Sequence, residues 1–201
     1  MISGISAHRS SASSELDLNV ERIQKAYEKI KDMKGHFTQK NTITDLNKTD
    51  TYTGEFFIKQ PLRMKWVYTG KTAQDIYISE NTVLIYKSGD KQAYKAKFDK
   101  STYGQTPIAL LSGFGNIRQE FNISGRGNTL LLIPKNPLGT VTSITVVLSK
   151  GEFPIKSFTI QDGRSNVIEI VLTDVRVNTG LKDSFFEFSL PADVNIYEYN
   201  P

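Results

Sequence analysis

The sequence contains no cysteine. Disulfide bonds, cysteine-based zinc sites and thiol catalysis are therefore excluded. Long apolar runs are missing as well, because no stretch approaches the roughly 18 consecutive apolar residues that a membrane-spanning helix needs. Histidine is scarce, with two residues in the chain, so side chains suited to carrying protons near neutral pH are few.

The sequence patterns of common catalytic and metal sites are also absent. HExxH, DxDxDG, GxSxG, GxGxxG and phosphate-loop motifs do not occur. His8 lies near the N-terminus, and His36 lies at a predicted strand start, where a solvated histidine is far more common than a catalytic one. Four aspartates at predicted turns or strand ends are typical of solvated carboxylates: Asp45, Asp50, Asp162 and Asp174. We therefore expect no enzyme, no cofactor and no metal.

The net charge is +4 and the pI is about 9.1, values that suit an anionic surface or partner. Lysine and arginine are nevertheless scattered along the chain. One stretch mixes basic with aromatic residues, as an oligonucleotide platform would: Lys87, Lys91, Tyr94, Lys95, Lys97 and Phe98. Strand alternation explains this mixture as an outward face, so we expect no nucleic-acid binding.

The length of 201 residues and a hydrophobic content of 38% fit one globular domain. The serine-rich start has no apolar core of the length found in signal peptides. We expect residues 1–16 to form a disordered lead or a non-native remnant, and residues 17–201 to form the single domain.

The first regular element is predicted to be an amphipathic helix packed on a sheet. Asp17 and Asn19 are candidate N-caps, and Gly35 is a candidate stop. Between them apolar residues recur at helical spacing: Val20, Ile23, Tyr27, Ile30 and Met33.

The remaining pattern is organised around residues 54–68, which read as two strands folded back at Gln60-Pro61. Alternation places one set of side chains on a common apolar face, which carries the single tryptophan: Tyr52, Phe56 and Ile58 before the break, and Met64, Trp66 and Tyr68 after it. Such a face suits a packed core as well as a ligand cavity.

Short strands enriched in β-branched and aromatic residues are predicted over most of the remaining chain. They fall at 36–43, 74–78, 82–86, 92–96, 117–123, 129–133, 143–148, 155–160, 166–173 and 184–189. Residues 106–113 predict a short helix that is apolar nearly all round. About ten or eleven antiparallel strands predict a strongly curved sheet, which either closes as a barrel or stays open with the helices filling the gap. One long and one short helix cannot cover so wide a sheet. The apolar side chains that stay uncovered on its face therefore favour a cavity for a hydrophobic ligand.

Six segments in this order resemble the periplasmic outer-membrane lipoprotein carriers of the LolA type. They are FTQK at 37–40, GEFFIKQP at 54–61, the step from Pro61 to Trp66 and Tyr68, ISENTVLIY at 78–86, TPIALL at 106–111 and FEFSLPADV at 186–194. The resemblance covers about residues 17–198.

The resemblance implies a mainly β fold, an unclosed antiparallel barrel of about eleven strands with an N-terminal helix and a short lid helix. It implies a monomeric periplasmic carrier of acylated lipoproteins, which receives them from an inner-membrane ABC transporter and passes them to an outer-membrane receptor. The expected cavity residues are Phe56, Ile58, Met64, Trp66, Tyr68, Ile78, Leu84 and Tyr86, and the expected lid residues are Ile108, Leu110 and Leu111.

The sequence departs from the family at Gln60, where relatives commonly carry an arginine that holds the lid of the empty cavity shut. A neutral amide forms fewer and weaker hydrogen bonds than a guanidinium. Gln60 is therefore either a weak latch or a solvated turn residue. Two other functions stay open on the same fold: a periplasmic sensor of lipid or lipoprotein, and a carrier of a different lipid.

Overall fold

The computed structural model describes residues 6–79, 81–98, 111, 116–188 and 190–199. Within them lie two helices, α1 (Ser6–Lys29) and α2 (Ile117–Glu120). The strands are β1 (Asp32–Ile43), β2 (Lys48–Lys59), β3 (Arg63–Tyr68), β4 (Gln74–Ser79), β5 (Thr82–Lys87), β6 (Gln92–Lys97), β7 (Phe121–Arg126), β8 (Thr129–Pro134), β9 (Val141–Leu148), β10 (Ile155–Asp162), β11 (Val167–Val177) and β12 (Asn195–Tyr199).

All twelve strands belong to one sheet, in the order β12-β6-β5-β4-β3-β2-β1-β11-β10-β9-β8-β7. Neighbouring strands are antiparallel except β12, which runs parallel to β6. The end strands, β7 and β12, do not pair with each other in the described part of the chain, so the sheet stays unclosed. The predicted unclosed, mainly β architecture is confirmed, with twelve strands instead of about eleven.

Two of the predicted strands are wrong. The stretch predicted as a strand at 117–123 begins as α2, and the stretch at 184–189 contains the 3-10 turn Asp183–Phe186. In that turn the two consecutive residues Phe185 and Phe186 both make contacts with the protein: the Phe185 ring, partly exposed, lies 4.7 Å from the Phe57 ring, and Phe186 is buried. A strand would point two consecutive side chains to opposite faces. Sequence analysis also missed β12.

The amphipathic character predicted for α1 is confirmed, because Val20, Ile23, Tyr27 and Ile30 all lie in the buried apolar cluster. Its predicted ends are wrong. The helix begins at Ser6 and ends at Lys29, so Asp17 and Asn19 are interior residues, whereas Met33 and Gly35 lie in β1. The expected boundary between residues 16 and 17 stays a prediction.

Polar contacts fix α1 over the half of the sheet formed by β7 to β10. The Asn19 amide donates to the Gly127 carbonyl in the β7–β8 turn at 2.8 Å. Arg22 donates to the Ser149 carbonyl between β9 and β10. The Tyr27 ring lies 5.9 Å from the Phe153 ring in the same loop. These side chains satisfy backbone carbonyls of two separate turns, which sets the position of the helix on the sheet.

In the other half of the sheet, a glycine allows an aromatic ring to lie against the backbone. Gly54 in β2 is the direct partner of Phe37 in β1. A Cβ at Gly54 would lie 2.7 Å from the Phe37 ring and 2.0 Å from the Val67 carbonyl oxygen. Only glycine fits this close approach of ring and backbone.

We expect Gly54→Ala to lower the free energy of unfolding by about 3 kcal/mol, since the added carbon overlaps backbone that cannot move without shifting a strand. Urea unfolding measures this loss. Gly163→Ala is the matched control, because a Cβ there meets nothing nearer than 3.9 Å. Equal stabilities of the two variants would contradict the argument.

A buried carboxylate ties the start of β1 to the loop after β11. Asp32 accepts hydrogen bonds from the Thr179 N–H at 2.7 Å, the Thr179 hydroxyl at 2.8 Å and the Gly180 N–H at 3.0 Å. Burial alone would raise the pKa of the Asp32 carboxyl, but hydrogen bonds from Thr179, Gly180 and Leu181 outweigh it and hold that pKa below its ordinary value.

We expect Asp32→Asn to lower the free energy of unfolding by about 2 kcal/mol at neutral pH, because the amide cannot accept the same set of bonds. The depressed pKa makes this contribution fully present above about pH 4 and lost as pH falls through the folded-state value. The difference between wild type and variant therefore narrows in acid. Asp45→Asn, in the exposed turn Thr44–Leu46, should show neither effect in denaturant unfolding measured at several pH values.

Candidate functional site

Strand register defines one continuous apolar face, called here the inner face, which is the face covered by α1. Directly paired residues share a face. One row of partners runs Phe56, Trp66, Ile76 and Ile85, and the next runs Ile58, Met64, Ile78 and Val83. Most of these side chains are buried in the apolar cluster that also contains the stripe of α1. The inner face of β2 to β5 is therefore apolar along its whole width.

Six of the eight predicted cavity residues lie on this face: Phe56, Ile58, Met64, Trp66, Tyr68 and Ile78. The assignment of Leu84 and Tyr86 is wrong. Ser79 pairs with Thr82 across the turn, so Val83 and Ile85 point inward, and Leu84 pairs with Tyr77 on the outer face. β5 reads TVLIYK, and its run of apolar residues conceals which positions face inward. Following the alternation of faces from Trp66 to β4, and then through the β4–β5 turn, would have identified the inward positions of β5.

The outer face explains the burial of Leu84. Its partner on the neighbouring strand β4 is Tyr77. The centre of the Tyr77 ring lies 6.1 Å from that of the Phe188 ring. The Lys65 Nζ lies 5.1 Å from the centre of the Tyr77 ring and 5.3 Å from that of Phe185. The segment after β11 therefore covers an apolar patch on the outer face, separate from the inner one.

Ion pairs hold this covering segment to the hairpin of β2 and β3. The Asp183 carboxylate lies 2.6 Å from Lys59 Nζ and 3.4 Å from Arg63. The hydrogen bond from Lys59, with the charge of Arg63, keeps the pKa of Asp183 below its ordinary value. The hairpin is thus packed on both of its faces.

Aromatic rings form the centre of the inner face. The Trp66 ring stacks on Phe37 at 4.1 Å between centroids and on Phe56 at 5.7 Å. Tyr68 meets the Phe37 ring edge-on at 5.2 Å. Trp66 is 1% exposed. We call these four residues the aromatic wall.

The predicted lid lies mostly outside the described residues, which include neither Ile108 nor Leu110. Leu111 is described, and it is buried in the same apolar cluster as Trp66.

Gln60 is exposed at the β2–β3 turn, before a cis peptide bond to Pro61. Its backbone N–H donates to the Lys31 carbonyl at 2.9 Å. A latching role for its side chain stays a prediction.

Beside the aromatic wall lies a polar pocket that sequence analysis missed. The Tyr68 hydroxyl donates to Gln39 Oε1 at 3.1 Å, and Gln39 Nε2 donates to Asn41 Oδ1 at 2.9 Å. Together with Tyr52 and Gln74 these residues line a cavity of about 300 Å³. Burial raises the pKa of the Tyr68 hydroxyl, so the pocket is uncharged at neutral pH. We call it the amide pocket.

The described residues offer little for catalysis. They contain no group of three or more histidine, cysteine, aspartate or glutamate side chains placed to hold a metal ion. His36 lies on the outer face, 3.3 Å from Glu55 and 3.7 Å from Asp174, with all three side chains largely exposed. Among the described segments, no helix is both long and apolar enough to cross a bilayer. Outside the amide pocket, the inner face offers a ligand apolar and aromatic contact.

Fold and site together define an unclosed β-sheet with an apolar inner face under an N-terminal helix. Residues 28–189 match the sequence profile of the outer membrane lipoprotein carrier protein LolA family. The chain belongs to this family.

Individual relatives agree with this assignment. An outer-membrane lipoprotein carrier protein of Methylococcus capsulatus is 27% identical over 150 residues, covering 72% of this chain and 71% of the relative. A protein of the same description from Halorhodospira halophila is 23% identical over 184 residues, covering 90% and 86%. The crystal structure of a LolA superfamily protein from Nitrosomonas europaea shares the fold, with a TM-score of 0.51 at 11% identity over 86% of this chain and 97% of that one.

Proposed function

We propose that this protein is a non-enzymatic periplasmic carrier that shields the acyl chains of lipoproteins on their way from the inner to the outer membrane. The observation that carries the proposal is the inner face of β2 to β5, where register aligns two uninterrupted rows of apolar side chains. Membership of the lipoprotein carrier family supports the choice of ligand.

The energetics of acyl chains explain why such a face is needed. Each methylene that leaves water gains about 0.8 kcal/mol, so an unescorted chain does not cross an aqueous compartment at a useful rate. A carrier must remove much of this cost and still release its cargo. Aromatic rings and the flexible thioether of Met64 suit this task, because they adapt to chains of different shape without forming directional bonds.

The residues of the wall are already buried, so an acyl chain has to displace what covers them. Asn19 and Arg22 bind α1 to two turns at the far side of the sheet, whereas Leu111 covers by apolar contact in the same cluster as Trp66. Apolar contacts can be replaced by an acyl chain at little cost. We therefore infer that the ligand displaces Leu111, whereas α1 stays in place.

Partners follow from the family resemblance: an inner-membrane ABC transporter as donor and an outer-membrane receptor as acceptor. Gln60 lies exposed at the turn of the β2–β3 hairpin. Because its amide would hold a lid less firmly than a guanidinium, we infer that loading needs less energy from the transporter than in relatives with arginine there.

The single tryptophan makes ligand binding directly observable. Titration with a peptide bearing two palmitoyl chains should change the emission of Trp66 and saturate at one equivalent. The same peptide without its acyl chains is the control and should leave the emission unchanged. Absence of a saturable response to the acylated peptide would refute the carrier proposal, and mass spectrometry of lipid co-purified with the protein would identify another cargo.

Adjacent residues of β5 provide a matched test of the inner face. Ile85 points inward and Tyr86 outward, and both are partly exposed. Ile85→Gln should weaken binding of the acylated peptide about tenfold, because a polar amide then faces the chains. Tyr86→Gln should change the affinity less than about twofold. Calorimetry measures both affinities, and thermal unfolding checks that both variants fold. The reverse order of effects would contradict the assignment of the inner face.

A further inference from the structure

The amide pocket adjoins the aromatic wall and shares a residue with it. Tyr68 packs its ring edge on Phe37 and directs its hydroxyl to Gln39. Gln74 is the direct partner of Tyr68 in β4, and Tyr52 is the partner of Gln39 in β2. The inner face thus changes, within one row of residues, from purely apolar side chains to hydrogen-bonding ones.

The described lining of this pocket is uncharged and consists of three amides and two phenols. Two charged residues lie next to the lining on the same face. Asp50 is the partner of Asn41, and its carboxylate is paired with Lys48 Nζ at 3.0 Å. Lys87 is the partner of Gln74, and its side chain is exposed. A bound anion would find no counter-charge among the lining side chains, and a bound cation would find none either. Desolvating a charged group there would be costly, whereas a neutral polar group would be accommodated.

Gln39 makes the pocket a built site, because it is 5% exposed and held at both ends of its amide. Each primary amide has two N–H donors and two acceptor lone pairs. The contact to Tyr68 uses one lone pair of Gln39, and the contact to Asn41 uses one of its N–H groups. Among the described residues, a second donor and a second acceptor of the same amide have no other partner and remain for a ligand.

We propose that the amide pocket binds the neutral linker of the acylated ligand, namely the ester and amide carbonyls that join the acyl chains to the peptide. This inference rests on the proposed function and adds to it the polar part of the ligand. Carbonyls next to chains on the wall leave water together with them, and a buried carbonyl needs a donor. The amide pocket supplies donors at the place where the apolar row ends.

The test compares two lipopeptides that differ only in the ester carbonyls. One carries two palmitoyl chains as esters on a glyceryl-cysteine peptide, and the other carries two hexadecyl chains as ethers. We expect wild type to bind the ester form about tenfold more tightly, as one or two lost hydrogen bonds would predict. Gln39→Leu should remove this preference while keeping the affinity for the ether form. Gln161→Leu, with an exposed side chain on β10, should keep the preference.

The outcomes separate the two proposals. Binding of neither lipopeptide would refute the carrier function itself. Equal binding of ester and ether by wild type would overturn the amide pocket as the linker site and leave the carrier function standing. If Gln39→Leu weakened both ligands equally, the residue would have a structural role only. Tyr68→Phe, which removes one hydroxyl and keeps the ring, repeats the comparison with little risk to the fold.

Discussion

The contact on which the inner face depends is that between the Phe37 ring and the bare backbone of Gly54. Because Gly54 has no side chain, Phe37 can lie close to β2 and stack on Trp66 at 4.1 Å. The rings of Phe56 and Tyr68 each lie against the Trp66 ring as well, which completes the aromatic wall. A side chain at Gly54 would press against β3 as well as against the ring. The missing Cβ at Gly54 therefore makes room for the Phe37 ring at the centre of the wall.

Both faces of this part of the sheet are covered, by different means. On the inner face the contacts of the wall are apolar, and α1 is fixed elsewhere, over β7 to β10, through Asn19 and Arg22. On the outer face, Asp183 joins the covering segment to Lys59 and Arg63 at the hairpin. Directional contacts of this kind hold the outer layer in one position. Around the wall the contacts of the inner layer are mainly apolar, apart from the hydrogen bond of Tyr68 to Gln39. The two faces are therefore covered by different kinds of contact.

Much of this arrangement could be predicted where the local pattern carries the information. Alternation is unambiguous in β2 and β3, so Phe56, Ile58, Met64 and Trp66 were assigned to one face correctly. In β5 every central residue is apolar, and the facing of Leu84 and Tyr86 depends on pairing with β4, which composition does not reveal. The turn at Asp183–Phe186 depends on ion pairs with residues far away in the chain. The amide pocket is harder still, since Gln39 and Tyr68 meet only through the register of β1, β2 and β3.

When the binding face of a carrier is already covered by its own side chains, the free energy of binding reflects only a difference. It is the difference between the contacts that the ligand makes and the contacts that the ligand displaces. Under the proposed function, an acyl chain that reached Trp66 would take the place of side chains such as Leu111, which are already buried. The gain per methylene is then well below the full transfer value of about 0.8 kcal/mol. This exchange weakens binding of hydrocarbon in general, and therefore permits release. It would also raise the relative weight of the polar end of the ligand, because the amide pocket is a cavity that no apolar side chain of the described residues lines. Selectivity for an acylated peptide over plain hydrocarbon would then arise from Gln39 and its neighbours, while the aromatic wall supplies affinity that any chain can use.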